Sequence, residues 1–189
     1  MMTRMSEFLL LLSLLPLIGV NIWHGILLAQ GSKDNRPHSI SHHAVDTTQL
    51  LRTHRIMHSL GSVILITFGV GFLIPRGYTL AACLLIAAAV FDVIEVFTLN
   101  KENAAEALKL NSHTVTAWSM AFCYLLYVTA IIPVANLNYL LAVAVWLTPA
   151  ILAAVFKLRK FNGFWIAQHV YFCLLALLIL IAHVRLLAT

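Results

Sequence analysis

Nine histidines and an isolated pair of acidic residues are the groups in this 189-residue chain that could carry chemistry. Imidazole ligates transition metals and moves protons near neutral pH. His54 and His58 stand four apart, so on a helix they share a face, a spacing at which both rings can reach one ion. Asp92 and Glu95 stand three apart, again on one helical face. Two bare carboxylates there repel, so either one holds a proton or positive groups face them, a metal or histidines. His38, His42 and His43 form an H-x-x-x-H-H string, and His24, His113 and His169 lie in separate segments. Imidazoles and carboxylates together suit iron, manganese or zinc. The candidate metal ligands are therefore His24, His42, His43, His54, His58, Asp92, Glu95, His113 and His169. Asp92 and Glu95 are also the candidate catalytic acid and base, and His58 and His169 the candidate cofactor-binding pair.

Positioning these groups falls to helices in a bilayer. The chain is 61% hydrophobic and only 10% charged, and the mean hydropathy is +0.92. A soluble domain is closer to half apolar and a quarter charged. An all-α, integral membrane bundle of six transmembrane helices is expected, as one polytopic domain spanning residues 1–189. The apolar runs lie at roughly 9–28, 56–74, 79–99, 114–134, 138–156 and 163–187. Pro75 and Gly77 stop the second run, and Pro149 sits inside the fifth as a tolerated kink. The first run is weakly basic at its start, long, and followed by no small-residue cleavage site, so a retained helix is expected instead of a signal peptide. Residues 29–55 form the one long loop, polar and rich in histidine. No internal repeat or low-complexity tract interrupts the pattern.

Charge orients the bundle. Lys33, Arg36, Arg52, Arg55, Lys101, Lys109, Lys157, Arg159 and Lys160 fall in connections on one side, here called side A. Arg4, Arg76 and Arg185 fall on side B. Side A is then cytoplasmic, and both termini are external, which in a bacterial inner membrane means periplasmic. The net charge of +5 belongs to this orientation and not to nucleic-acid binding. At 1.5 Å rise per residue, His24, His58, Asp92 and His169 each fall about 5–10 Å below the side-A boundary. Eight of the nine histidines belong to side A; His183, beside Arg185, is expected at the side-B interface. Ionisable groups inside a bilayer are costly and usually functional.

Two resemblances follow. The H-x-x-x-H-H string with His54-Arg-Ile-Met-His58 resembles the histidine boxes of membrane fatty-acid desaturases and hydroxylases, which hold two irons at the cytoplasmic face. It covers some twenty residues, has the boxes in another order, and lacks the third box, where Gln168-His169 stands alone. It is a similarity of ligand chemistry, not of family. His169 and His183, fourteen apart, are similar to the paired axial histidines of diheme b-type cytochromes. No second pair repeats that spacing, so a single heme on side A, between His169 and His58 or His113, is what this pattern allows.

Cys83, Cys123 and Cys173 lie in apolar runs without a C-x-x-C, so neither a disulfide framework nor a thiolate zinc site is expected of them. No nucleotide-binding, nucleophile-elbow or heme-attachment motif is present. Four functions fit. The leading one is a metal-dependent membrane enzyme, with iron, or else zinc or heme b, acting on a lipid-like or other apolar substrate. Iron implies oxidation and an external electron donor. The others are a proton- or metal-coupled transporter, a b-type electron-transfer subunit, and a cofactor-free isomerase or cyclase working through Asp92 or Glu95. Trp118, Tyr124 and Trp165 would face a carbocation in that last case.

Overall fold

The structure, a computed structural model, describes residues 4–30, 39–105, 110–158 and 164–186. Every regular element among them is helical: α1 (Arg4–Gln30), α2 (Ile40–Ala44), α3 (Thr48–Phe68), α4 (Thr79–Thr98), α5 (Lys101–Ala105), α6 (Ser112–Val134), α7 (Leu140–Leu158) and α8 (Phe164–Leu186). A π segment at Gly69–Leu73 and a 3-10 turn at Ile74–Arg76 carry α3 onward to Gly77. Gly77 takes a φ of 79°, and there the chain turns into α4.

Five helical stretches are long and apolar enough to cross a membrane: Arg4–Ala29, Thr48–Arg76, Thr79–Thr98, Ser112–Val134 and Ile166–Leu186. Leu140–Leu152, within α7, is apolar but shorter. This is a multi-pass membrane architecture, and its outer surface confirms the solvent it is built for. Leu11, Leu15, Ile18 and Ile22 of α1 are exposed, as are Leu60 and Val63 of α3 and Leu80 and Phe97 of α4. Lipid accepts such a surface, so in this chain the polar residues, not the apolar ones, mark the inward faces.

α1 packs on α3, α3 on α4, α4 on α6, α6 on α8, and α8 back on α1, closing a ring, with α7 against α6 and α8. Small residues set the spacing. A Cβ added to Gly61 would stand 3.0 Å from Pro16 Cβ, so α1 and α3 meet closely where both carry histidines one to two turns toward side A. Arg55 donates from Nε to the Val96 carbonyl and from Nη2 to the Leu99 carbonyl, both at 3.0 Å. It thereby caps the free carbonyls ending α4 and fixes α3 against the helix that carries Asp92 and Glu95.

The expected loop 29–55 is shorter than its polarity implied. The Thr47 hydroxyl accepts from the Leu50 amide at 3.1 Å and starts α3 at Thr48. The polar first turns of α3 are helical although they are not apolar, because a cap and not hydropathy sets a helix start. Within the former loop, Ser39 caps α2. Ile40, Ala44 and Val45 join Leu27, Leu99 and Ala104 in a small apolar cluster that pins α2 and α5 over the side-A end of the ring. His38, Lys33, Arg36, Lys109, Arg159 and Lys160 lie outside the described residues.

Candidate metal centre and cavity

His24 enters from α1, and His54 and His58 from α3. Each offers one ring nitrogen, and the three nitrogens lie within 4.8 Å of one another. All three rings are buried. His24 Nε2 and His58 Nε2 are 3.1 Å apart. Imidazole nitrogens about 2.0–2.1 Å from a tetrahedral zinc stand about 3.3–3.4 Å apart. The closest pair is thus within a few tenths of an ångström of a shared ion, and no pair needs to close by more than about 1.5 Å.

Neighbouring groups decide which nitrogen of each ring is free. Asp92 Oδ1 lies 2.8 Å from His58 Nδ1, and the Ser62 hydroxyl donates to Asp92 Oδ2, also at 2.8 Å. A carboxylate there requires Nδ1 to carry a proton, which turns the His58 Nε2 lone pair toward His24. This is the carboxylate–histidine arrangement that orients metal ligands. His54 is held differently. Trp23 Nε1–H donates to His54 Nδ1 at 3.1 Å. Whichever nitrogen of His54 faces the ion, that bond must open or the ring must give up its proton. His24 and His58 are therefore the ready ligands and His54 a conditional third.

The other candidates surround this core without joining it. Glu95 Oε1 lies 3.1 Å from His113 Nδ1, and the Ser41 hydroxyl bonds Glu95 as well. The two carboxylates of α4 are thus each faced by a histidine, which relieves their repulsion. His169 places its ring centroid 6.4 Å from that of His24, and its Nε2 is 3.7 Å from Cys173 Sγ. His43 Nδ1 stands 3.8 Å from Asp46 Oδ2, and burial holds its imidazole below the ordinary range against the opposing pull of Asp46. His42 stacks edge-on against His43, at a centroid distance of 6.4 Å. The described residues hold this one group of three metal-competent side chains, and His42, His43, His113 and His169 are not in it.

A cavity of about 110 Å³ opens beside the cluster. His24, His54, His58, Asp92, Glu95 and Ser41 form its polar end. Gln168 lines it too and accepts from the Ile40 amide at 3.1 Å, tying α2 to α8. The opposite end is lined by Leu17, Leu65, Tyr124 and Ile179. One helical turn further toward side B, on the same four helices, come Ser13, Phe68, Tyr127 and His183, each fully buried. His183 Nδ1 is 2.8 Å from Ser13 Oγ, His183 Nε2 bonds the Tyr127 hydroxyl, and its ring lies 4.6 Å from that of Phe68. This knot floors the cavity and corrects the expectation of an interfacial His183. Its neighbour Arg185 faces outward, but Ser13 and Tyr127 supply partners that let the imidazole sit in the core.

Of the residues that complete the site, Tyr124 was expected only as an aromatic able to face a carbocation, and Trp23 was not expected at all. Ser62 carried a signal, one turn from His58. Trp23 carried none beyond adjacency to His24, because its partner is on another helix. No protein-family model matches the chain, and neither a curated protein nor a solved structure matches it.

Proposed function

We propose that this chain is an integral membrane enzyme that holds one metal ion between His24 and His58, with His54 as a third ligand, and acts on an apolar or lipid-like substrate. The convergence of three buried imidazoles at the polar end of an otherwise apolar cavity carries this reading. Nitrogen ligands of this kind suit zinc or iron. Bound there, the ion supplies Lewis acidity for hydrolysis or, as iron, an oxidation that draws on an external electron donor.

The chain's own residues do the rest. Asp92 fixes the tautomer and direction of His58, and Ser62 fixes Asp92. Glu95 and His113 form a second carboxylate–imidazole pair, able to take and return a proton at the cavity wall. The apolar end receives the substrate from the bilayer. The same pair supports a second reading, acid–base catalysis without a metal, in which Glu95 and His113 work alone. The host membrane in this proposal is a bacterial inner membrane, with the basic connections in the cytoplasm and both termini in the periplasm.

Metal analysis of the chain purified in mild detergent separates the two. One ion per chain is expected, lost in His24→Ala and His58→Ala and kept in His42→Ala. Protein that is metal-free and binds neither zinc nor iron on titration would leave the acid–base reading.

A further inference from the structure

Asn21 and His24 lie one turn apart on α1, and both line the cavity. Asn21 Nδ2 donates to the Leu17 carbonyl at 2.8 Å, which fixes the orientation of the amide and leaves Oδ1 as the atom turned away from that bond. Asn21 Oδ1 and His24 Nδ1 are both buried, and neither finds a hydrogen-bond partner among the described residues. His24 itself is only 6% exposed. A buried polar atom left unpaired costs about 1–3 kcal/mol, and two of them beside one cavity point to a ligand that pairs with both.

The chemistry of that ligand follows from the two atoms. The amide oxygen can only accept. His24 Nδ1 carries a proton when His24 Nε2 ligates a metal, so in that state it can only donate. One group that donates to the first and accepts from the second is a hydroxyl. Below it the lining continues past Leu65, Leu175 and Ile179 to Leu17, a seven-residue rise of about 10 Å from His24 along α1. Its volume is far below the several hundred Å³ of a site for a drug-sized ligand, so the body must be slender.

We propose that the site takes an aliphatic alcohol, its hydroxyl between Asn21 Oδ1 and His24 Nδ1 and its chain along the apolar shaft. This rests on the metal reading for the proton on His24, and it adds the substrate class. Asn21 becomes a substrate-binding residue and is not a metal ligand.

The full chain in lipid nanodiscs tests this, with Trp118, Trp146 and Trp165 replaced by Phe so that Trp23, hydrogen-bonded to the site, is the reporter. The probes are a six-carbon alcohol brominated next to its hydroxyl and the bromoalkane of equal length. Saturable quenching by the alcohol, about tenfold tighter than by the alkane and tighter with zinc than without, is expected. Asn21→Leu should abolish the preference, and Asn21→Ser, which keeps an acceptor, should retain part of it. Equal quenching by both probes, the result for a cavity that holds only water, overturns the proposal, as does a preference that survives Asn21→Leu. Zinc titration of the same nanodiscs reads the metal site separately. No zinc binding with the alcohol preference intact would sink the metal reading and overturn the bridge to His24, whose Nδ1 is fixed as a donor only by an ion on Nε2, leaving Asn21 as the alcohol's one partner.

Discussion

Asp92 shows how one side chain can govern a site it does not occupy. Its two oxygens are spent on His58 and Ser62, so its work is to hold a ring in one tautomer and direction. Outer groups of this kind change metal affinity about 10–100-fold. Asp92→Ala is therefore expected to weaken zinc binding by that factor in a calorimetric titration, and Ser62→Ala by less. Trp23 works in the opposite sense, because its N–H occupies a His54 nitrogen. Trp23→Phe releases one hydrogen bond of about 1 kcal/mol and should tighten zinc binding about fivefold. At the floor, His183→Leu strands the Tyr127 hydroxyl and a Ser13 lone pair. A loss of about 1–3 kcal/mol in detergent unfolding is expected. Tyr127→Phe, which strands only His183 Nε2, should cost less. Neither should alter zinc affinity in the folded protein, since the floor lies on the far side of the cavity.

At the scale of elements, the site is the product of one close helix pair. His24 and His58 come from α1 and α3, and their 3.1 Å separation depends on how near those helices run. Gly61 sets that distance against Pro16. Gly61→Val should push the pair apart and cut zinc binding severely while the chain still folds as a bundle. Gly19→Ala, whose added methyl meets only Met57 Cε at 3.6 Å, should leave binding unchanged, and the comparison is a titration of the two variants. The spans at 79–99 and 114–134 were legible to within two residues, as α4 and α6, because apolar runs end where loops begin. The start of α3 was not, since Thr47 and not hydropathy fixes it. Nor was α2, whose five residues are held by Leu27 and Leu99 from other helices.

For the whole molecule, the direction of α8 constrains the topology. Its early residue His169 lies beside His24 near side A, and its late residue His183 bonds Tyr127 toward side B. α6 runs the same way, from His113 beside Glu95 to Tyr127. The chain between them must return across the bundle, and α7, at 19 residues, spans about 28 Å, close to the ~30 Å hydrocarbon thickness. The orientation proposed above, with both termini in the periplasm, needs six crossings and so needs α7 to cross. A periplasm-dependent reporter fused after Thr189 should be active, and one inserted near Lys33 inactive. Activity in neither place would mean that α7 does not cross.

The sequence by itself determined the solvent and the depth. Apolar length requires a membrane-spanning helix, and residue counting put histidines and carboxylates from four segments at one level, because helical rise is fixed at 1.5 Å per residue. It also determined that Asp92 and Glu95 share a face and need either a proton on one of them or partners facing them. Only the tertiary structure decided who those partners are. His58 and His113 meet the carboxylates, and His24 meets His58, through rotations about helix axes and crossings between helices that no local pattern records. The same holds for His183. Its sequence neighbours suggest an interface, whereas Ser13 and Tyr127, 170 and 56 residues away, make the core its place. Helices that are apolar all round carry no stripe to say which way they turn, so their orientation is settled where the few polar groups find each other.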